Sequence, residues 1–131
     1  MSTKKRILFV CIENSCRSQM AEAFAHLYGS DSIQAFSAGS RPSGKVNAQA
    51  VKAMAELGYD LNAHRSKSLR DVPGYKYDYV ITMGCGDECP FIAADHHEDW
   101  QIPDPKNMPL DEFRTVRDLI GSRVKELANR I

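Results

Sequence analysis

No apolar run in this chain approaches the ~18 residues that a membrane-spanning helix requires, and the short hydrophobic stretch Ile7–Val10 that follows the basic N-terminal residues is too brief for a secretory signal core. Charge of one sign is lacking as well. Seventeen basic and seventeen acidic side chains cancel, which argues against a general nucleic-acid or membrane-surface binder and makes any anion site a local feature. There is no internal repeat and no low-complexity segment, so solenoids and disordered linkers are set aside. Cysteine is scarce, with four in 131 residues. A chain of this length, 43% hydrophobic and 26% charged, builds a core without disulfide staples, so one domain spanning 1–131 in the cytoplasm is expected. Thiols in that setting are catalytic, redox-active or metal-binding more often than structural.

What is present begins with Cys11-Ile-Glu-Asn-Ser-Cys-Arg17-Ser18. The preceding run Ile7–Val10 has the length and composition of a buried parallel strand, and Arg17–Gly29 carries a helical pattern. The intervening loop is then a helix N-terminus. Its free N–H groups and the positive end of the helix dipole favour a tetrahedral anion, Arg17 adds a guanidinium clamp, and the same field favours the thiolate of Cys11. Ser18 is placed to hydrogen-bond that thiolate. Cys16, in the same loop, is expected to pack beneath it.

Further along, Ile33–Ser37 reads as a second strand ending at Ala38-Gly39, Val46–Leu57 as a helix capped by Asn47 and stopped by Gly58, and Tyr77–Met83 as a third strand punctuated by Gly84. Residues 90–109 are expected to form long loops, with one short strand at Asp99–Gln101. Leu110–Ile131 is a closing helix whose apolar face is Phe113, Val116, Ile120, Val124 and Leu127. His26 and His64 are expected on the surface or on helices, and His96 and His97 in loops. Strands alternating with helices imply an α/β fold with a mostly parallel sheet covered on both faces, and a site beyond the carboxyl ends of its strands. If the first and third strands are neighbours, Cys11 and Cys85 open onto one crevice.

Cys85 and Cys89 stand four apart in a turn-like segment between Gly84 and Pro90. They fit a thiol relay in which oxidation passes from Cys11 to Cys85 to Cys89, since each step is thiolate attack at sulfur. Two small buried residues, or a zinc site completed by His96 and His97, are the alternatives. Adjacent histidines rarely converge on one metal, which weakens the zinc reading. Asp104, stiffened by Pro103 and Pro105, is a candidate general acid.

Cys11-x5-Arg17-Ser18-Gln19-Met20-Ala21-Glu22, the Cys85/Cys89 pair and Asp104-Pro105, in that order, resemble the thioredoxin-coupled arsenate reductases, which share their fold with the low-molecular-weight protein tyrosine phosphatases. The resemblance implies a three-layer sandwich with a central, mostly parallel four-stranded sheet flanked by helices. It implies Cys11, Arg17, Cys85, Cys89 and Asp104 as catalytic residues, and Glu13, Asn14, Ser15, Cys16, Arg17 and Ser18 as the oxyanion loop. Asn14 would hold the loop's shape. It implies arsenate as substrate, thioredoxin as reductant, a monomer, and no metal or cofactor. A phosphotyrosine phosphatase using Cys11, Arg17 and Asp104 is the alternative, although Gln19 and Lys106 depart from that pattern; a zinc-binding or arsenic-sensing module is the third. The relay cysteines are closer together than in the best-known members. Glu13 stands where many relatives carry Gly, so its carboxylate is expected to turn from the anion. Some members hold potassium with residues matching Asn14, Glu22 and Ser37 plus an acidic residue; here Lys67 takes that last position, and its ammonium is expected to replace the ion.

Overall fold

The computed structural model describes residues 4–74, 76–84 and 90–131. Its elements are β1 (Lys5–Cys11), α1 (Arg17–Gly29), β2 (Ile33–Gly39), α2 (Ala48–Ala55), β3 (Tyr77–Thr82), β4 (Ala94–Asp99) and α3 (Leu110–Arg130), with short 3-10 turns at Leu61–Ala63 and Leu69–Asp71. The four strands run parallel in the order β2-β1-β3-β4. After β1 the chain crosses to one side of the sheet to form β2 and then to the other to form β3, so the topological switch lies between β1 and β3. Cys11 ends β1 at this switch.

The alternation of β1 divides the core. Ile7 and Phe9 join Met20, Phe24, Met54, Ile120 and Val124 in a cluster that α1, α2 and α3 cover. Leu8 and Val10 face the other way, with Ala38, Tyr77 and Val80, beneath Leu69, Val72 and Ile92. A helical layer thus covers one face, and a 3-10 turn with its flanking loops covers the other. Phe113, Val116, Ile120, Val124 and Leu127, the expected apolar face of α3, are all buried. A β-carbon on Gly121 would meet the Phe24 ring at 2.9 Å, so the close approach of α3 to α1 depends on that residue.

Two elements differ from the sequence reading. α2 is shorter, starting after Asn47, whose Oδ1 accepts from the backbone N–H groups of Gln49 and Ala50. The last strand is Ala94–Asp99, not Asp99–Gln101, and it carries His96 and His97, which are therefore strand and not loop residues. Its sequence, Ala-Asp-His-His-Glu-Asp, has no apolar alternation because it is a largely exposed edge; register with β3, from Tyr77↔Ala94 to Thr82↔Asp99, is what makes it a strand. Successive side chains leave opposite faces of a strand. His96 accordingly stacks on Tyr79 while His97 packs at a tilt against Phe91, and the two imidazoles do not converge on one point.

Candidate functional site

The loop from Cys11 to Arg17 is shaped by backbone contacts. Gly39 is the register partner of Cys11, and a β-carbon there would lie 2.5 Å from the Ile12 carbonyl oxygen and 2.9 Å from the Asn14 nitrogen, so only glycine lets the loop close over β2. Asn14 takes a left-handed conformation, φ 50°, which asparagine tolerates better than other non-glycine residues. Its side chain is fixed from both ends. Oδ1 accepts from Gln19 Nε2 at 2.8 Å and from the Lys67 N–H at 2.9 Å, while Nδ2 donates to Ser18 Oγ at 2.8 Å.

Ser18 Oγ lies 2.8 Å from Cys11 Sγ. Because one oxygen lone pair already accepts from Asn14, the hydroxyl hydrogen is free to point at sulfur, the arrangement a thiolate favours. α1 begins without a side-chain cap, which leaves first-turn N–H groups and the positive end of its dipole for an anion.

Arg17 is buried, and its Nη1 donates to the carbonyl oxygens of Met83 at 2.6 Å and Ile102 at 3.1 Å. These anchors follow β3 and precede Asp104. Gly84, φ 92°, lets the chain pass 3.2 Å from Nη1 where a β-carbon would sit. Arg17 Nη2 stands 3.9 Å from Asp104 Oδ2, whose carboxylate is half exposed. A cavity of about 150 Å³ is lined by Cys11, Glu13, Ser15, Cys16, Arg17 and Asp104. One small hollow therefore gathers a sulfur nucleophile, a guanidinium, a helix N-terminus and a carboxyl group. Asn14 and Ser18 do not line it; they brace the loop and the sulfur from behind.

Cys16 differs from Cys11. Burial, opposed by the Ser15 hydroxyl, pushes its thiol up to about 12. It packs beneath the loop as expected and stays protonated at neutral pH. Cys85 and Cys89 lie outside the described residues, as does any zinc set built on them.

Several contributors carry no motif. Arg41, following β2, also lines the cavity; its only sequence signal is its place just after a strand adjoining β1. The Glu13 carboxylate holds Lys106 Nζ at 2.8 and 3.0 Å, so it is engaged by a cation and not free to face an anion. Gln19 is a hub: Nε2 donates to Asn14 and to the Arg65 carbonyl, and Oε1 lies 2.9 Å from His64 Nδ1. An amide oxygen can only accept, so Nδ1 carries the hydrogen, and Nε2 accepts from Tyr59 Oη at 2.6 Å. His64 is thus an inward-facing, largely buried residue, not the surface residue expected.

Below this hub, Lys67 Nζ sits 3.2 Å from Ser37 Oγ, 3.3 Å from the Arg65 carbonyl and 3.7 Å from Glu22 Oε1. Burial would raise Glu22, but hydrogen bonds from His26 and Ser37 and the Lys67 charge together lower it. The ammonium already stands among the oxygens of Ser37, Arg65 and Glu22, so these residues do not fit a bound potassium ion.

The profile of the low molecular weight phosphotyrosine protein phosphatase family matches residues 6–131. A Synechocystis protein named glutaredoxin arsenate reductase is 39% identical over 97% of this chain and 98% of its own length. A solved arsenate reductase in its phosphate-binding state superposes with a TM-score of 0.87 at 38% identity, covering 97% of this chain and 98% of that one. A thioredoxin-dependent arsenate reductase of Corynebacterium glutamicum gives a TM-score of 0.76 at 32% identity, covering 98% of this chain and 62% of that one. Anion loop, parallel four-stranded sheet and full-length likeness agree: this chain belongs to the low molecular weight phosphotyrosine protein phosphatase family.

Proposed function

We propose that this chain reduces arsenate to arsenite by a three-cysteine relay and is recharged by a small dithiol protein. The observation that carries the reading is Cys11 Sγ, held 2.8 Å from Ser18 Oγ at the floor of a cavity that also presents Arg17 and Asp104. Arsenate is a tetrahedral oxyanion of the size and charge such a loop favours. The relatives named arsenate reductases, alike over nearly their whole length, support that choice.

Cys11 thiolate attacks arsenic, forming an S–As bond, and the As–O bond opposite breaks as Asp104 delivers a proton, so that oxygen leaves as water. Arg17 and the loop N–H groups hold the remaining oxygens. Cys85 thiolate then attacks Cys11 Sγ. The electron pair of the S–As bond passes to arsenic, arsenite departs, and a Cys11–Cys85 disulfide remains. Cys89 attacks Cys85 Sγ, giving Cys85–Cys89 and releasing Cys11 as thiolate. Two electrons have left the thiols and two have reached arsenic. Every residue the relay uses is present in a single chain, so the proposed chemistry needs no residue from a second copy. The relay depends on the reducing pool of the cytoplasm to open its final disulfide.

Thioredoxin is the proposed reductant, in line with the Corynebacterium relative. The Synechocystis relative makes glutaredoxin the competing choice. NADPH consumption with arsenate is to be followed in two coupled systems, thioredoxin with its reductase and glutaredoxin with glutathione and its reductase. The parent should turn over best with thioredoxin, and Cys11→Ser, Cys85→Ser and Cys89→Ser should each lose multiple turnover. Normal cycling of Cys89→Ser with thioredoxin overturns the relay as drawn.

A further inference from the structure

The anion cavity is small, and one residue of its wall, Glu13, is held in an ion pair with Lys106. Glu13 and Ser15 line the hollow of about 150 Å³ that holds Cys11 and Arg17. The same two residues also line a second hollow of about 390 Å³, walled further by Ser43, Val46, Ala48 and Lys106. Glu13 is therefore common to both, and Lys106, which lines the second hollow and not the first, donates from Nζ to both its carboxylate oxygens at 2.8 and 3.0 Å. The contact joins the anion loop to the segment carrying Asp104, two residues before Lys106. The Asp104 carboxylate in turn accepts from the Lys106 N–H at 3.1 Å. A cavity of about 150 Å³ accommodates roughly one benzene-sized group. A tetrahedral oxyanion fits within it, and the ring of an esterified oxyanion has to lie beyond it. The neighbouring hollow has the volume and, in Val46 and Ala48, some of the apolar lining that an aryl group needs.

We propose that the Glu13–Lys106 pair is a partition that determines specificity: it closes the anion site off from the adjoining hollow and confines it to unesterified inorganic oxyanions. The inference rests on the oxyanion chemistry proposed above and adds the selection among oxyanions. The pair acts in two ways. Its side chains fill the passage, and Lys106 neutralises a carboxylate that would otherwise repel a dianion at the mouth. Deleting both residues opens the passage and leaves no bare charge. With the hollows joined, an aryl phosphate places its phosphoryl group on the loop and its ring over Val46 and Ala48. Cys11 then attacks phosphorus, the P–O(aryl) bond breaks with the Asp104 proton going to the phenolate, and water cleaves the S–P bond to regenerate the thiolate.

The test compares Glu13→Ala/Lys106→Ala with the parent on p-nitrophenyl phosphate, with arsenate reduction measured alongside. The kcat/KM for the aryl phosphate should rise about tenfold in the double variant, and Lys106→Arg, which keeps a cation on Glu13, should stay within about twofold of the parent. Both side chains are solvent-accessible, and an exposed pair contributes little to folding. Glu13→Ser/Lys106→Ser gives the same readout with a polar surface retained. An aryl phosphate kcat/KM that falls or stays within twofold of the parent in both double variants overturns the partition. A parent that does not reduce arsenate overturns the functional reading instead, while leaving the aryl phosphate comparison intact.

Discussion

Asn14 Nδ2 donates to Ser18 Oγ at 2.8 Å, and that oxygen lies 2.8 Å from Cys11 Sγ, so the orientation of a buried amide fixes the direction of the hydrogen aimed at sulfur. Gln19 and the Lys67 N–H hold the amide in turn. The thiol is thereby coupled to β1, α1 and the segment after α2 through one chain of hydrogen bonds.

Replacing Ser18 by Ala removes a bond to the charged form of Cys11 and leaves Asn14 Nδ2 without its acceptor. Hydrogen bonds to charged groups are worth about 1.5–3 kcal/mol, so kcat/KM should fall at least roughly tenfold. Alkylation of Cys11 by iodoacetamide at pH 7 should slow in parallel. Unchanged alkylation would mean that Ser18 does not act on the sulfur.

Cys16 should be a bystander. With burial pushing its thiol up to about 12, iodoacetamide at pH 8 should label Cys11 and spare Cys16 in the folded protein. Cys16→Ala should keep turnover within about threefold of the parent. Peptide mapping of the alkylated protein checks the first outcome and steady-state kinetics the second.

Much of this site was legible in the sequence because its chemistry is local. A nucleophile and an arginine between a strand and a helix identify the loop, and α3 shows its buried face in the spacing Phe113, Val116, Ile120, Val124 and Leu127. What escaped depends on partners distant in the chain. β4 has no strand pattern of its own and exists by pairing with β3. His64 is drawn inward by Gln19, Tyr59 and Glu22, none adjacent to it in sequence. Arg41 reaches the cavity, and Lys106 reaches Glu13 at its rim, because the fold brings the ends of β2 and the Asp104 segment to the same edge as Cys11.

Lys67 should make the enzyme indifferent to potassium. Its ammonium already pairs with Glu22 and donates to Ser37, so parent activity should be equal in potassium and sodium chloride at matched ionic strength. Lys67→Ala should lose roughly fivefold in kcat/KM and regain part of it with potassium over sodium. A clear potassium stimulation of the parent refutes the substitution of ion by lysine.

His64 should set a pH limit on stability. Burial holds its imidazole below the ordinary value of 6.5, against the pull of Glu22 and Asp60 and with the charges of His26 and Lys67 acting in the same direction as burial. The folded state then binds fewer protons than the unfolded state just below pH 6.5, so stability is fully present above that value and is lost as pH falls. Glu22, lowered from 4.5, stays ionised through this window. Between pH 7.5 and 5.5 the parent should lose roughly 3 °C more in Tm than His64→Gln. Equal losses would place the titration elsewhere.

The most direct measurement of the central claim is a single turnover. Fully reduced protein is mixed with one equivalent of arsenate in the absence of any reductant, quenched with an alkylating agent, and mapped by mass spectrometry while arsenite is quantified. A three-thiol relay yields one arsenite per chain, a Cys85–Cys89 disulfide, and alkylated Cys11. Recovery of Cys11, Cys85 and Cys89 all as free thiols with no arsenite formed contradicts it.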